Sequence, residues 1–191
     1  MKVIVRMVES RRFLVEQNLK PFIPNLEICL ETAKEYHSNN AYWTFQRALE
    51  MVGDEDCLHL EDDIILTSNF MNKVNKVIKE NPNKVIQFFS MRKADLEIGS
   101  RMESGRTFMC ALCFYLPKGM SKDLRRYNEQ WEFDNADQMH GAPLDVALAD
   151  YLKSKKLKYF INVPSLVDHL PIVSSIDKRR SSKRQSKTFI K

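Results

Sequence analysis

Three adjacent carboxylates, Glu61, Asp62 and Asp63, close the apolar run CLHL at 57–60. Side by side they repel one another unless solvent or a cation neutralises them. A hard divalent ion such as Mg2+ or Mn2+ takes one or two carboxylates and completes its shell with phosphate oxygens and water. In an open α/β sheet, ligands bind beyond the carboxyl ends of the strands, which is where these acids stand if 57–60 is a strand. A solvated acidic turn has the same composition, so the string alone divides evenly between the two.

Other chemistries find no support. The chain has no glycine-rich phosphate loop, no Gly-x-Ser-x-Gly elbow and no His-Glu-x-x-His. Cys110 and Cys113 form a CxxC string, but in a strand positions three apart face opposite sides, and there is no second pair, so zinc is not expected. The four cysteines lie in apolar surroundings that suit reduced core thiols in a reducing compartment.

The acids need a scaffold, and the apolar periodicity supplies one. Residues 2–8 (KVIVRMV) read as a buried parallel strand, followed by a helix to Lys20 that Pro21 and Pro24 end. Residues 26–30 read as a second strand. Asn39 and Asn40 cap a helix whose apolar face is Ala41, Phe45, Ala48, Leu49 and Val52, with Gly53 as its stop. The strand at 57–60 comes next, then a helix through Phe70, Val74, Val77 and Ile78 closed by an NPNK turn, and a strand at 85–90. Residues 92–107, polar and glycine-containing, are expected to form a mobile loop. A strand at 108–116, a short helix after Pro117-Lys118-Gly119, an irregular stretch at 127–141, a helix from Pro143 to Lys153 and a strand at 157–163 complete the body. Strands alternating with helices imply a single-domain α/β fold with a mainly parallel, Rossmann-like sheet flanked by helices over 1–176.

At 191 residues and 43% hydrophobic, the chain can bury a full core, which excludes disorder throughout. No apolar run approaches the roughly 18 residues of a membrane helix, and the start is too short and too charged for a secretory signal. These features point to a cytoplasmic protein without a membrane partner. The net charge of +5 is uneven: of 30 Lys and Arg residues, seven lie between Lys178 and Lys191, leaving 23 against 25 Asp and Glu. The basic stretch at 177–191 reads either as a solvated, flexible tail or as a polyanion contact, nucleic acid before membrane, driven by counterion release.

The run FQRALEMVGDEDCLHLEDD resembles the nucleotide-sugar half of glycosyltransferases with the GT-A fold, closest to the lipopolysaccharide and collagen galactosyltransferase type. The segments FMCALCFYLPKGM, APLDVALADYL and VPSLVDHLPIVSS extend the resemblance over most of residues 2–175, and the compact, tail-bearing form is similar to small phage-encoded glycosyltransferases. The resemblance implies a metal-dependent transferase using a nucleotide-diphosphate sugar, commonly UDP-glucose, with Mn2+ or Mg2+. It implies that Glu61, Asp63 and His169 hold the metal, with Glu61 and Asp62 both open as the partner of Asp63. Asp145 is implied as the catalytic base of an inverting reaction, although an acid at a helix start also merely complements the macrodipole. Arg6, Glu9, Arg47 and Asp62 are implied on the nucleotide side, and Arg101 and Arg106 as a diphosphate clamp on a closing loop. Trp131, Glu132 and Asp134 would make an acceptor platform. The expected acceptor is a hydroxyl, with a hydroxymethylated pyrimidine in DNA favoured by the basic tail and a glycan or protein hydroxyl as alternatives. Two other readings remain: an inactive nucleic-acid-binding module on the same scaffold, and a metal-dependent phosphoryl or nucleotidyl transferase.

Overall fold

The computed structural model describes residues 1–32, 38–135, 143–172 and 184–190. β1 (Lys2–Met7), β2 (Leu26–Leu30) and β3 (Cys57–Glu61) are short apolar runs that pair in parallel with β1 in the middle. β5 (Val85–Gln87) and β8 (Lys158–Ile161) also pair in parallel. β7 (Cys113–Leu116) joins the two groups, antiparallel to both β3 and β5, and β6 (Arg101–Ser104) adds an antiparallel edge beside β8. The order is β2-β1-β3-β7-β5-β8-β6, so five of seven strands share one direction and the sheet is mainly parallel. A two-stranded sheet, β4 (Ile64–Leu66) with β9 (Val167–His169), sits beyond β3.

Helices cover both faces, as buried parallel strands require. Val3, Val5, Met7, Leu58 and Leu60 pack into a core with Val15 of α1 (Arg12–Asn18) and with Phe70 and Val74 of α3 (Phe70–Glu80). The opposite face carries Phe114, Leu116 and Tyr159 against Phe45 and Leu49 of α2 (Ser38–Val52), Leu124 of α5 (Met120–Asn135) and Leu148 of α6 (Pro143–Ser154). Gly53 ends α2 at φ 64°, a conformation that β-carbon-bearing residues rarely adopt.

Four expected elements differ, the first being the strand expected at 85–90, which ends at Gln87. Residues 92–107 are not an open loop but α4 (Asp95–Ile98), β6 and a 3-10 turn at Gly105–Thr107. What orders them is charge rather than apolar periodicity: the fully buried Asp95 receives Arg92 at 3.2 Å and Arg101 at 2.7 Å and bonds the Ser90 hydroxyl. The strand expected at 108–116 begins only at Cys113, because Cys110 adopts φ 67° and takes the backbone out of the ladder. The helix after Gly119 is long rather than short, running to Asn135 through residues expected to be irregular. The expected boundary at 176/177 lies outside the described residues.

Candidate active site

β3 delivers its acids to different places because strand residues alternate between faces. Cys57 and His59 face α2, so Glu61 does too, and it meets Arg6, its register partner on β1. Arg6 Nη2 donates to Glu61 Oε1 at 3.3 Å and to the Ala111 carbonyl at 2.7 Å, with its guanidinium over the Phe45 and Phe114 rings at 5.2 and 5.6 Å. Only 6% of Arg6 is exposed. The expected nucleotide contact by Arg6 is therefore replaced by a buried role: it supports Glu61 and the 110–112 turn.

Asp62 faces the other way. Its Oδ2 accepts the Val8 amide at 2.9 Å and its Oδ1 accepts Arg11 at 2.9 Å. Both oxygens are taken and the residue is buried, so Asp62 holds the turn between β1 and α1 and is not free to bind a nucleotide or a metal. Arg11 also donates to Asp63 Oδ2 at 3.0 Å. Sequence reasoning missed Arg11; the signal was the Arg11-Arg12 pair placed just after the strand that neighbours the acids. Arg12 instead binds Glu9 at 2.7 and 2.8 Å on the surface, which occupies the Glu9 carboxylate.

His169 arrives through the small sheet, in which Ile64 is registered with His169, while the Leu170 amide donates to the Asp63 carbonyl at 2.8 Å. Its Nδ1 lies 3.7 Å from Asp63 Oδ1. Asp63 Oδ1 and His169 Nε2 are both buried with no hydrogen-bond partner among the described residues. Burial holds His169 below the usual histidine range, with the Asp63 charge opposing. An imidazole kept neutral beside an anionic oxygen is the form that ligates metals.

Asp145 opens α6, and its Oδ1 accepts the Ala111 amide at 2.8 Å. Ala111 thus joins the two halves of the site: its N–H orients Asp145 and its carbonyl receives Arg6. The Glu61 amide donates to the next carbonyl, Leu112, at 3.0 Å. Burial pushes the Glu61 carboxyl up to about 7; Arg6 opposes this, the Asp63 and Asp145 charges add to it, and Arg184 opposes it. A raised carboxyl gives stability that is present below its ordinary 4.5 and lost as pH rises through 7. Because 38% of this side chain meets solvent, screening leaves a penalty of about 1 kcal/mol. Glu61→Gln, which cannot ionise, is expected to raise the melting temperature of the metal-free protein by about 2–4 °C at pH 8. At pH 4.5 the gain should vanish, and a gain independent of pH in calorimetric scans would contradict this electrostatic account.

Other expected residues make no ion pair with Glu61, Asp62 or Asp63 among the described residues. Arg47 reaches back along α2 to the end of β2, donating to Thr32 Oγ1 at 2.8 Å and to the Leu30 carbonyl, beside a cavity of about 440 Å³ that includes Trp43 and Arg125. Arg101 is held by Asp95 and Glu103 at the far edge of the sheet, four strands from β3. Arg106 lies past Ser104, which is registered with Lys158 at the amino end of β8, so it stands at the opposite end of the strands from Glu61. Neither arginine forms the expected clamp. Trp131 is buried against Tyr42 and Ala147 with its indole N–H on Asp150 at 3.1 Å, a core position rather than an acceptor platform. The side chains of Glu132 and Asp134 lie outside the described residues.

Among the described residues no three His, Cys, Asp or Glu side chains form a complete metal-binding group. A hard cation that takes one or two protein ligands and draws the rest from phosphate and water does fit, because Asp63 Oδ1 and His169 Nε2, on neighbouring side chains, are two of the buried polar atoms without hydrogen-bond partners among the described residues. The cysteines are free and buried, as expected of core thiols. None of the described helices is long and apolar enough to cross a membrane.

No family model and no curated protein matches the chain. Among solved structures it is similar to A197 from STIV, with 12% identity and a TM-score of 0.51 over 100% of this chain and 97% of that one. It also aligns with a putative glucose-1-phosphate thymidylyltransferase from Bacillus anthracis in complex with a sucrose, with 10% identity and a TM-score of 0.47 over 88% and 89%. The likeness to the first is one of fold.

Proposed function

We propose that this chain transfers a glycosyl group from a nucleotide-diphosphate sugar, a UDP-sugar such as UDP-glucose, to an acceptor hydroxyl. One observation carries the reading. Residues remote in sequence, Glu61 and Asp63 on the β3 end, Asp145 on α6 and His169 on β9, converge around Ala111 and β3 at the carboxyl end of the parallel strands.

Asp63 and His169 would hold a Mn2+ or Mg2+ ion, which when bound supplies positive charge against the diphosphate. Asp145, with Oδ1 fixed by the Ala111 amide, takes the proton of the acceptor hydroxyl as its oxygen bonds the anomeric carbon. The bond from that carbon to the β-phosphate oxygen breaks, and its electron pair leaves on the nucleoside diphosphate. Attack opposite the leaving group inverts the anomeric centre. Glu61, tied to Arg6, stays beside this path as part of the charge balance rather than as the base.

UDP with Mn2+ is expected to stabilise the protein by about 2.7 kcal/mol at a hundredfold excess over Kd, raising the melting temperature by about 5–10 °C. Either ligand alone should give less than half of that shift. A screen of nucleoside diphosphates with no metal-dependent shift would remove this function.

A further inference from the structure

The last described segment, 184–190, does not leave the body. The Ser186 amide donates to Asp168 Oδ1 at 2.7 Å, next to His169, and its hydroxyl donates to Ser165 Oγ at 2.8 Å. The buried Thr188 accepts the Ser165 amide at 3.0 Å, and Thr67 Oγ1 donates to the Ile190 carbonyl at 2.8 Å. Three anchors in five residues make this segment a strap across the β9 end of the site.

The strap carries Arg184 inward. Its guanidinium reaches the Cys110 thiol, and its charge acts on Glu61 and on His169. The site's other arginines are engaged with carboxylates, Arg6 with Glu61 and Arg11 with Asp62 and Asp63. Arg184 makes no ion pair with any described residue. A guanidinium held at the mouth of an acid cluster, uncommitted to any of those acids, is placed for an anion brought in from outside.

We propose that Arg184 binds the diphosphate of the donor, with Ser186 and Thr188 as the latch that positions it. This rests on the nucleotide-sugar reading above. It divides the basic stretch by role: Arg184 belongs to the site, whatever Lys178, Arg179, Arg180 and Lys183 contact.

Calorimetric titration of UDP into the full chain with Mn2+ tests it. Arg184→Gln should weaken UDP binding about tenfold or more while the ligand-free protein stays folded, with a single cooperative melting transition. Arg184→Lys should recover part of the loss, because a point charge keeps the attraction but not the fork. Thr188→Val, which frees the latch, should weaken UDP binding by a smaller factor and speed hydrogen exchange at the Ser186 and Thr188 amides. UDP affinity in Arg184→Gln equal to wild type, with wild type binding UDP, would overturn this inference alone. Failure of wild type itself to bind UDP would overturn the function and the inference together.

Discussion

Asp145→Asn is expected to lower the rate of transfer about 10³-fold, within the range for removal of a general base. The fold should survive, because an asparagine Oδ1 still accepts the Ala111 amide that the carboxylate accepts at 2.8 Å. UDP and Mn2+ should bind within about twofold of wild type, since the proposed role sets Asp145 to the acceptor hydroxyl and not to the donor. The informative result is that separation of kcat from donor affinity. A variant that keeps its turnover, or loses donor binding in parallel with turnover, would take the proton-accepting role away from Asp145.

Asp63→Asn should give the other pattern. The neutral side chain removes the anionic oxygen that lies buried and unpartnered 3.7 Å from His169. Both the Mn2+-dependent melting shift and transfer should be lost, the latter by at least about 10³-fold. Stability should change little, because Arg11 keeps its 2.9 Å bond to Asp62. Metal-dependent UDP binding retained by Asp63→Asn would remove this carboxylate from the cation site.

Much of the scaffold is legible because buried parallel strands announce themselves as short, two-sided apolar runs. The bounds of β2 agree with expectation, and β1 and β3 differ by a single residue. The direction of β7 is not legible, since a strand's sense depends on how the chain returns to the sheet and not on its own residues. Segment 92–107 escapes for a related reason: a polar string looks like a loop until the buried Asp95 finds Arg92 and Arg101, and only tertiary structure pairs them.

The candidate site divides in the same way. The acid string stands out by residue type, while Asp145 and His169 come forward only through the resemblance of the segments that hold them. Which of Glu61 and Asp62 faces the site follows from the pleat, which turns Asp62 toward Val8 and Arg11. The arginines were harder, because a long cationic side chain gives no hint in sequence of which acid it will meet. Arg6 and Arg11 proved to be buried partners of the acids, while Arg101 and Arg106 lie away from them. Charge counting read the basic stretch as one object. Its small hydroxyl residues, Ser186 and Thr188, are what fasten part of it to the body.

The most direct test of the central claim is the release of nucleoside diphosphate from a panel of nucleotide sugars incubated with the full chain and Mn2+. The account predicts that UDP appears from a UDP-sugar, that EDTA stops its release, and that Asp63→Asn produces none. Intact donors throughout the panel with wild-type protein, or release that continues unchanged in Asp63→Asn, would contradict it.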